Sequence, residues 1–199
     1  RIVYLCGPSE LPAGEATDFE SLVEGQATDC RWGDFDERTA AALCYTSGTT
    51  GNPKGVLYTH RSQALHTFII AQQDALALSA RDTLLMVVPM FHANAWGLPF
   101  AAAASGSKLV LPGAKLDPVS IYELLEQEAV TFSGGVPTVW QLLLDHVRAQ
   151  RLRFSTLKRV LIGGSACPEA VARAFRDDHG VEVLHGWGMT EMSPIGTVS

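Results

Sequence analysis

An alternation of apolar and amphipathic stretches between residues 41 and 188 constrains the fold more than any other feature of this sequence. Short apolar runs rich in Val, Ile and Leu alternate about five times with stretches of helical periodicity. Strands that alternate with helices in this way are typical of βαβ units, which form a largely parallel sheet. We therefore predict an α/β fold of repeated βαβ units. The predicted strands are residues 41–46, 83–89, 108–112, 130–135, 158–164 and 181–188.

The predicted helices lie between these strands and carry recognisable start and stop signals. In residues 60–78, helical spacing relates Leu65, Phe68, Ile69, Gln72 and Leu76. The other predicted helices are 93–104, broken near Gly97 and Pro99; 117–129, with Asp117 as N-cap and Pro118 in first position; 137–150; and 167–180, ended by Gly180. Trp140 lies on an apolar helix face and is predicted to be a core residue.

Composition excludes several classes of protein. Hydrophobic residues make up 47% and charged residues 18% of the chain, so it can bury a core and is not a disordered segment. The net charge of −6 without a basic run argues against nucleic-acid binding, and no apolar stretch is long enough for a membrane span. The four cysteines stand singly, which favours free thiols in a reducing cytoplasm. The scattered histidines form no metal-binding motif, so we expect no protein-held transition metal.

The segment Tyr45–Val56, YTSGTTGNPKGV, combines glycines, hydroxyl side chains and a lysine. Glycines let the backbone turn tightly and direct N–H groups at an anion, and the hydroxyls and the lysine add further donors. This mixture predicts a loop that binds a polyphosphate. Two other Gly-rich segments, 163–166 and 186–188, also lie at the ends of predicted strands. Since the carboxyl ends of parallel strands meet at one edge of a sheet, we expect all three segments to converge on one ligand site.

Three familiar loop motifs do not fit. The Walker A pattern places Lys directly after Gly and a hydroxyl directly after Lys, whereas Lys54 follows Pro53 and precedes Gly55. The GxGxxG dinucleotide fingerprint is not matched either. Residues 163–167, GGSAC, come near the GxSxG elbow of hydrolases but carry Cys167 in place of the last Gly. Cys167 stands where a helix is predicted to begin, which favours a lowered thiol pKa, although a catalytic thiol is the weaker interpretation.

Four segments together resemble the motifs of the adenylate-forming enzymes: acyl-CoA synthetases, adenylation domains of peptide synthetases, and luciferases. Tyr45–Val56 resembles their phosphate loop, PMFHANAW (89–96) their acyl-site motif, GGSACP (163–168) their adenine-side turn, and HGWGMTE (185–191) their second nucleotide motif. The four occur in the family's order, and the resemblance covers essentially the whole chain. It is closest to medium- and long-chain fatty acyl-CoA synthetases and methylthiopropionate-CoA ligases. Residues 1–199 then form an inner part of the large N-terminal domain, without the small C-terminal domain.

The resemblance implies a two-step activation of a carboxylic acid. The acid attacks the α-phosphorus of ATP and releases pyrophosphate, and the thiol of coenzyme A then displaces AMP to give acyl-CoA. ATP, Mg²⁺ and coenzyme A are the implied cofactors and co-substrates, and a homodimer is the implied assembly. Two alternatives stay open: another branch of the family, such as an aryl-acid ligase or a luciferase-like enzyme, and a non-catalytic nucleotide-binding module.

The nucleotide site implied by the resemblance draws on three of the motifs. Lys54 and the loop residues Ser47, Gly48, Thr49, Thr50 and Gly51 hold the β- and γ-phosphates. Thr46 helps to place Mg²⁺, Glu191 is its carboxylate ligand, and Thr190 bonds the α-phosphate. The remaining nucleotide-binding residues are Gly164, Ser165 and Ala166 beside the adenine, and His185, Gly186, Trp187, Gly188 and Met189 in the second motif. Trp187 stands where the family usually has Tyr, which puts any hydrogen bond of that phenol in doubt; a core Trp is the alternative.

The acid site implied by the resemblance lies around the acyl-site motif. His92 neighbours the reacting carboxylate, Ala93 lines the site, and Trp96 gates an acyl tunnel or merely packs. Gly135 and Pro137 edge the acyl pocket. Amino-acid-activating relatives carry an Asp in this motif, and none stands between Phe91 and Trp96. We therefore expect an acid without an α-amine.

The family also needs groups beyond this chain. An Asp for the ribose hydroxyls and a Lys in the C-terminal domain are expected downstream of Glu191. We therefore expect the 199-residue chain alone to be inactive, with at most residual nucleotide affinity.

Overall fold

The computed structural model describes residues 2–4, 16–30, 33–46 and 51–199. The chain divides into two compact units, residues 1–35 and 36–199. In the first unit, strand β1 (Ile2–Tyr4) pairs in parallel with β2 (Ala16–Asp18), and helix α1 (Phe19–Val23) follows. Asp18 caps that helix, since its carboxylate accepts from the Ser21 amide at 2.9 Å.

The second unit contains the remaining elements. Its strands are β3 (Ala40–Thr46), β4 (Lys54–Thr59), β5 (Thr83–Met86), β6 (Lys108–Val110), β7 (Phe132–Gly135), β8 (Arg159–Ile162), β9 (Glu182–Gly188) and β10 (Ile195–Val198). Its α-helices are α2 (His60–Ile70), α3 (Leu98–Ser105), α4 (Pro118–Gln127), α5 (Pro137–Ala149) and α6 (Glu169–Arg173). A left-handed turn (Ala93–Trp96), a π-helical turn (Ala174–Asp178) and a 3₁₀ turn (Thr190–Met192) complete it. In the part of the chain described here, every helix is too short or too polar to cross a bilayer.

Six strands form the central sheet in the order β10-β9-β8-β7-β5-β6. Neighbouring strands are parallel except β10, which runs antiparallel to β9. Each face of the sheet packs on its own core. One core centres on Trp140 and Phe175, the other on Leu84, Phe132 and the helix α3. The predicted α/β fold with a largely parallel sheet is confirmed, and so is the core position of Trp140, whose side chain is fully buried.

The prediction that residues 41–46 form a buried strand of the central sheet is wrong. They belong to β3, which among the described strands pairs with β4 alone and forms a separate antiparallel hairpin with it. Cys44 of β3 is buried, whereas its neighbours Leu43 and Tyr45 are 54% and 65% exposed. The run AALCYT is apolar on both faces, so the pattern gave no sign that only alternate residues face the interior.

Helix α2 buries a different face from the one its apolar residues indicate. The helix begins with a capping box between Thr59 and Ser62 and ends at Ile70, earlier than predicted. The apolar side chains of Leu65, Phe68 and Ile69 are exposed. The opposite, partly polar face is buried instead; its residues are Gln63, His66, Thr67 and Ile70.

A buried carboxylate ties together the amino-terminal ends of three neighbouring strands. Asp82, directly before β5, accepts from the Thr131 hydroxyl at 2.8 Å, the Arg159 guanidinium at 2.8 Å and the Ser79 amide at 2.9 Å. Burial alone raises the pKa of Asp82, but these hydrogen bonds and the Arg159 charge outweigh it, so the pKa is lowered. The hydrogen bonds of Asp82 fix the register of β5, β7 and β8 at the end of the sheet opposite its carboxyl edge.

Candidate functional site

A cavity of about 510 Å³ opens at the carboxyl edge of the central sheet. Five segments line it: the hairpin β3–β4, the residues after β5, the end of β8, the end of β9 with the turn that follows, and the start of β10. Twelve residues predicted from the sequence lie in its wall: Thr46, Lys54, His92, Ala93, Trp96, Gly164, Gly186, Trp187, Gly188, Met189, Thr190 and Glu191. The structure thus brings residues of all four sequence motifs around one space.

The hairpin contributes a hydroxyl and an ammonium group. Thr46 ends β3, Lys54 begins β4, and the two are directly opposite each other in the register. Both side chains line the cavity. The predicted phosphate-binding residues Ser47, Gly48, Thr49 and Thr50 lie outside the described residues. Gly51 has a φ of +130° and does not line the cavity.

The acyl-site motif forms one turn of left-handed helix rather than the predicted right-handed one. Ala93, Asn94, Ala95 and Trp96 have φ values between 46° and 59°, and Gly97 follows at 76°. Left-handed backbone costs roughly 1–2 kcal/mol per L-residue, so the surroundings must hold this turn. One such contact is the Cys44 thiol, which donates to the Asn94 side-chain oxygen at 3.3 Å.

Trp96 is buried against the loop that follows β8. A Cβ atom added to Gly163 would lie 3.3 Å from the indole and 2.9 Å from the Gly186 carbonyl oxygen. The close approach therefore leaves no room for a side chain at position 163. Trp96 both packs and lines the cavity, so the two interpretations of this residue are compatible.

The end of the second nucleotide motif is a 3₁₀ turn held from the hairpin. Thr190 and Glu191 face the cavity, and the phenol of Tyr58 on β4 donates to the Thr190 carbonyl oxygen at 2.5 Å. Tyr58 is 2% exposed. Burial, with smaller contributions from Cys44 and Glu191, raises the pKa of Tyr58 to about 12. The phenol therefore stays protonated, and remains a donor, at neutral pH.

The cavity suits a magnesium ion whose ligands are mostly waters and substrate phosphates rather than protein groups. Glu191 is the only carboxylate among the described residues that line it, and Thr46 supplies a hydroxyl. Within the described ranges, no three His, Cys, Asp or Glu side chains cluster as a metal cage would require. Mg²⁺ is commonly held by one or two carboxylates together with waters and substrate phosphates, so this donor set fits Mg²⁺ and not a closed protein site.

Trp187 is not a core residue. Its side chain is 56% exposed and lines the cavity. Gly196 packs against the indole, since a Cβ atom added there would lie 3.2 Å from the ring. An indole in this position presents a flat apolar surface on which a base can stack.

Several predicted residues do not line the cavity. Gly135 and Pro137 are buried, and Gly135 packs against Trp140. Ser165, Ala166 and His185 are exposed and lie outside the wall. Their roles stay predictions.

The structure adds four lining residues that sequence reasoning did not assign: Leu161, Gly163, Pro194 and Ile195. Gly163 lies in the motif GGSACP and could have been predicted from it. Pro194 and Ile195 close the cavity only because β10 folds back on β9, which no local pattern indicated.

The interpretation of Cys167 as a thiol of lowered pKa is wrong. Helix α6 begins at Glu169 and has five residues, so its first turn does not enclose the thiol. Burial raises the pKa of Cys167, and the Arg176 charge offsets this only in part.

His66 joins helix α2 to the cavity wall. Its Nε2 accepts from the Ile195 amide at 3.0 Å, and its Nδ1 is buried without a partner among the described residues. Only a neutral ring can accept at Nε2. Burial lowers the pKa of His66 to about 4.

Acidification is therefore expected to destabilise the fold through His66. Unfolded His66 takes up a proton near pH 6.5, whereas folded His66 does so only near pH 4. The contribution of His66 to the free energy of unfolding is therefore complete above pH 6.5 and is lost as the pH falls towards 4. The loss should be about 1–2 kcal/mol after allowance for solvent screening. His66→Gln keeps an acceptor that does not titrate. Unfolding measured from pH 7 to pH 4.5 should show a shallower decline for this variant, and parallel curves would contradict the assignment.

The sequence model of the AMP-binding enzyme family matches residues 8–199. Among curated proteins, the chain is 56% identical to the medium-chain-fatty-acid–CoA ligase of Ectopseudomonas oleovorans, with 91% of this chain and 33% of that protein covered. It is 54% identical to the 3-methylmercaptopropionyl-CoA ligase of Ruegeria pomeroyi, with 100% and 38% covered. The chain thus spans about a third of the length of the curated relatives it matches.

A similar fold occurs in the inhibitor-bound N-terminal domain of FACL13 from Mycobacterium tuberculosis. The TM-score is 0.81 at 27% sequence identity, and the match covers 92% of this chain and 46% of that one.

Proposed function

Because the chain belongs to the AMP-binding enzyme family, we propose that it is part of an acid–thiol ligase that converts an aliphatic carboxylic acid to acyl-AMP and then to acyl-CoA. The observation that carries this proposal is the shared cavity. Lys54 and Thr46 reach it from the hairpin, Thr190 and Glu191 from the turn after β9, and His92 from the residues after β5. Two substrates can therefore meet between these groups.

The first step needs control of charge. A carboxylate oxygen must attack the α-phosphorus of ATP while pyrophosphate leaves, so two anions approach each other. In our proposal Lys54 neutralises the outer phosphates, and Thr46 and Thr190 donate hydrogen bonds to phosphate oxygens. Glu191 faces the phosphates from the other side of the cavity. Mg²⁺, held by Glu191 and Thr46, would supply further positive charge at the phosphates. The adenine would stack on Trp187.

The acid is proposed to enter from the side of the left-handed turn. His92 and Trp96 line that side, and the turn offers Ala93 and Ala95 rather than a carboxylate. A turn without an anionic partner for an ammonium group, with the Glu191 carboxylate assigned to Mg²⁺, favours acids that lack an α-amine. The names of the two curated relatives, a medium-chain fatty acid ligase and a methylmercaptopropionyl ligase, support aliphatic acids as the substrate class.

The proposal extends to the rest of the protein. Residues 1–199 would form part of the N-terminal domain, in agreement with the likeness to a solved N-terminal domain. The ribose-binding Asp and the Lys of a C-terminal domain would be supplied outside this chain. A reducing cytoplasm suits Cys30, Cys44 and Cys167, which are free thiols. A homodimer stays a prediction from the resemblance.

Acid-dependent exchange between ATP and pyrophosphate tests the proposal. It should be measured on the full-length protein encoded by the reading frame that contains this chain. The acids are straight-chain acids from acetate to palmitate, methylthiopropionate, benzoate and amino acids. We expect exchange with an aliphatic acid and with no amino acid. Exchange with benzoate alone would favour an aryl-acid ligase. A folded protein that binds ATP but exchanges with no acid would be a nucleotide-binding module.

A further inference from the structure

The inner face of the hairpin touches the site through two polar side chains. Cys44 on β3 and Tyr58 on β4 are 4% and 2% exposed, and they lie diagonally on the same face, since Tyr58 pairs with Ala42. The Cys44 thiol contacts Asn94 in the left-handed turn, and the Tyr58 phenol contacts Thr190 in the 3₁₀ turn. The hairpin is thus joined to both of the segments that face it across the cavity.

The bond from Tyr58 is the shorter of two hydrogen bonds that the Thr190 carbonyl accepts. Its partner, the Thr190 carbonyl, belongs to the peptide group that joins Thr190 to Glu191, and the O···O distance is 2.5 Å. The same carbonyl also accepts from the Ser193 amide, but at 3.4 Å. The phenol therefore determines where this peptide group lies, and with it where the two flanking side chains begin.

Tyr58 and Lys54 lie on one short strand. Tyr58 is the fourth residue after Lys54, which is about 13 Å of extended chain. Lys54 enters the cavity at the first residue of β4, and Tyr58 is anchored beneath the cavity wall further along it. A displacement of β4 would therefore move the lysine and the peptide group of Thr190 together.

We propose that Tyr58 is a positioning residue that fixes the Thr190–Glu191 peptide relative to Lys54. This inference rests on the proposed function, since it assigns Lys54 and Glu191 to opposite sides of one bound MgATP. The phenol touches neither nucleotide nor metal in this arrangement. It acts through the backbone, so that the ammonium and the carboxylate keep the separation that a metal-bound triphosphate needs.

The test replaces Tyr58 with phenylalanine in the full-length protein. Tyr58→Phe removes one oxygen and keeps the buried ring. Tyr122→Phe is the matched control, because its phenol also donates to a backbone carbonyl, that of Arg153 at 2.9 Å, but from helix α4 and outside the cavity wall. In ATP–pyrophosphate exchange, Tyr58→Phe should raise the KM for MgATP about tenfold, the effect of one lost hydrogen bond. The KM for the acid should change less than about twofold.

Two further readouts separate positioning from a purely structural role. Calorimetric titration should show about tenfold weaker binding of MgATP to Tyr58→Phe, with a smaller loss for metal-free ATP, which has no metal for Glu191 to hold. Equal losses for MgATP and metal-free ATP, equal rises in both KM values, or the same kinetic change in Tyr122→Phe would overturn the proposal. A wild-type protein that binds MgATP but exchanges with no acid would remove the proposed function, while the titration would still decide the role of Tyr58.

Discussion

Replacing Glu191 with glutamine is expected to lower acid-dependent ATP–pyrophosphate exchange at least about 100-fold, the scale of losing one preorganised charge-stabilising group. Glu191 is the only carboxylate among the described residues of the cavity wall. Glutamine keeps the size of the side chain but removes its negative charge, so the proposed Mg²⁺ would lose its anionic protein ligand. Exchange should be measured in the full-length protein at saturating acid over a range of Mg²⁺ concentrations.

The matched control for this prediction is Glu123→Gln. Glu123 is exposed on helix α4, away from the cavity, and should exchange as the wild type does. The loss in Glu191→Gln should appear both as a higher KM for MgATP, because the proposed metal ligand is lost in the bound state, and as a lower kcat, because the phosphates carry developing negative charge in the transition state. A rate within about threefold of wild type would show that Glu191 does not serve the reaction.

The sheet could be predicted from the sequence because its strands are short apolar runs between amphipathic helices. Parallel strands are buried on both faces, so β8 is apolar and buried from Val160 to Ile162, after the Arg159 that begins it. The same rule wrongly assigned β3 to the central sheet. Its apolar run has the composition of a buried strand, yet Leu43 and Tyr45 face outwards in the hairpin. Composition alone could not distinguish a two-stranded ribbon from an inner strand of the sheet.

Tertiary packing, not periodicity, decided which face of α2 is buried. The helix packs beside α3, and His66 reaches Gly97, where an added Cβ atom would lie 2.8 Å from the imidazole. Because of this contact, the partly polar face of α2 is buried and Phe68 is exposed. A hydrogen bond from the Ile195 amide offsets part of the cost of burying the imidazole, and that partner lies 129 residues away. No local window of the sequence contains it.

The lining residues of the cavity were largely predictable because they fall within short motifs. The supporting contacts were not, since they join distant segments: Tyr58 to Thr190, and Cys44 to Asn94. The left-handed turn was also missed. The run from Ala93 to Trp96 contains no glycine, and L-residues rarely adopt positive φ values in succession.

Gly188→Ala is expected to unfold the wall of the cavity and abolish exchange. Gly188 ends β9 and pairs with Ile195 of β10. A Cβ atom added there would overlap the Pro194 carbonyl oxygen and lie 3.0 Å from the Ile195 Cα. Both obstacles are backbone atoms, so β10 must move away and take Ile195 from His66. Overpacking of this kind costs about 2–4 kcal/mol.

Gly113→Ala separates this steric effect from backbone strain. Gly113 has a φ of +67°, but no atom lies within 4 Å of an added Cβ, so the variant should lose only about 1 kcal/mol and exchange normally. Thermal unfolding and ATP–pyrophosphate exchange, measured together on both full-length variants, decide the matter. If Gly188→Ala unfolds and exchanges like Gly113→Ala, β10 does not close the cavity against β9. If Gly188→Ala alone loses both stability and exchange, the antiparallel strand is part of the site and not only of the sheet.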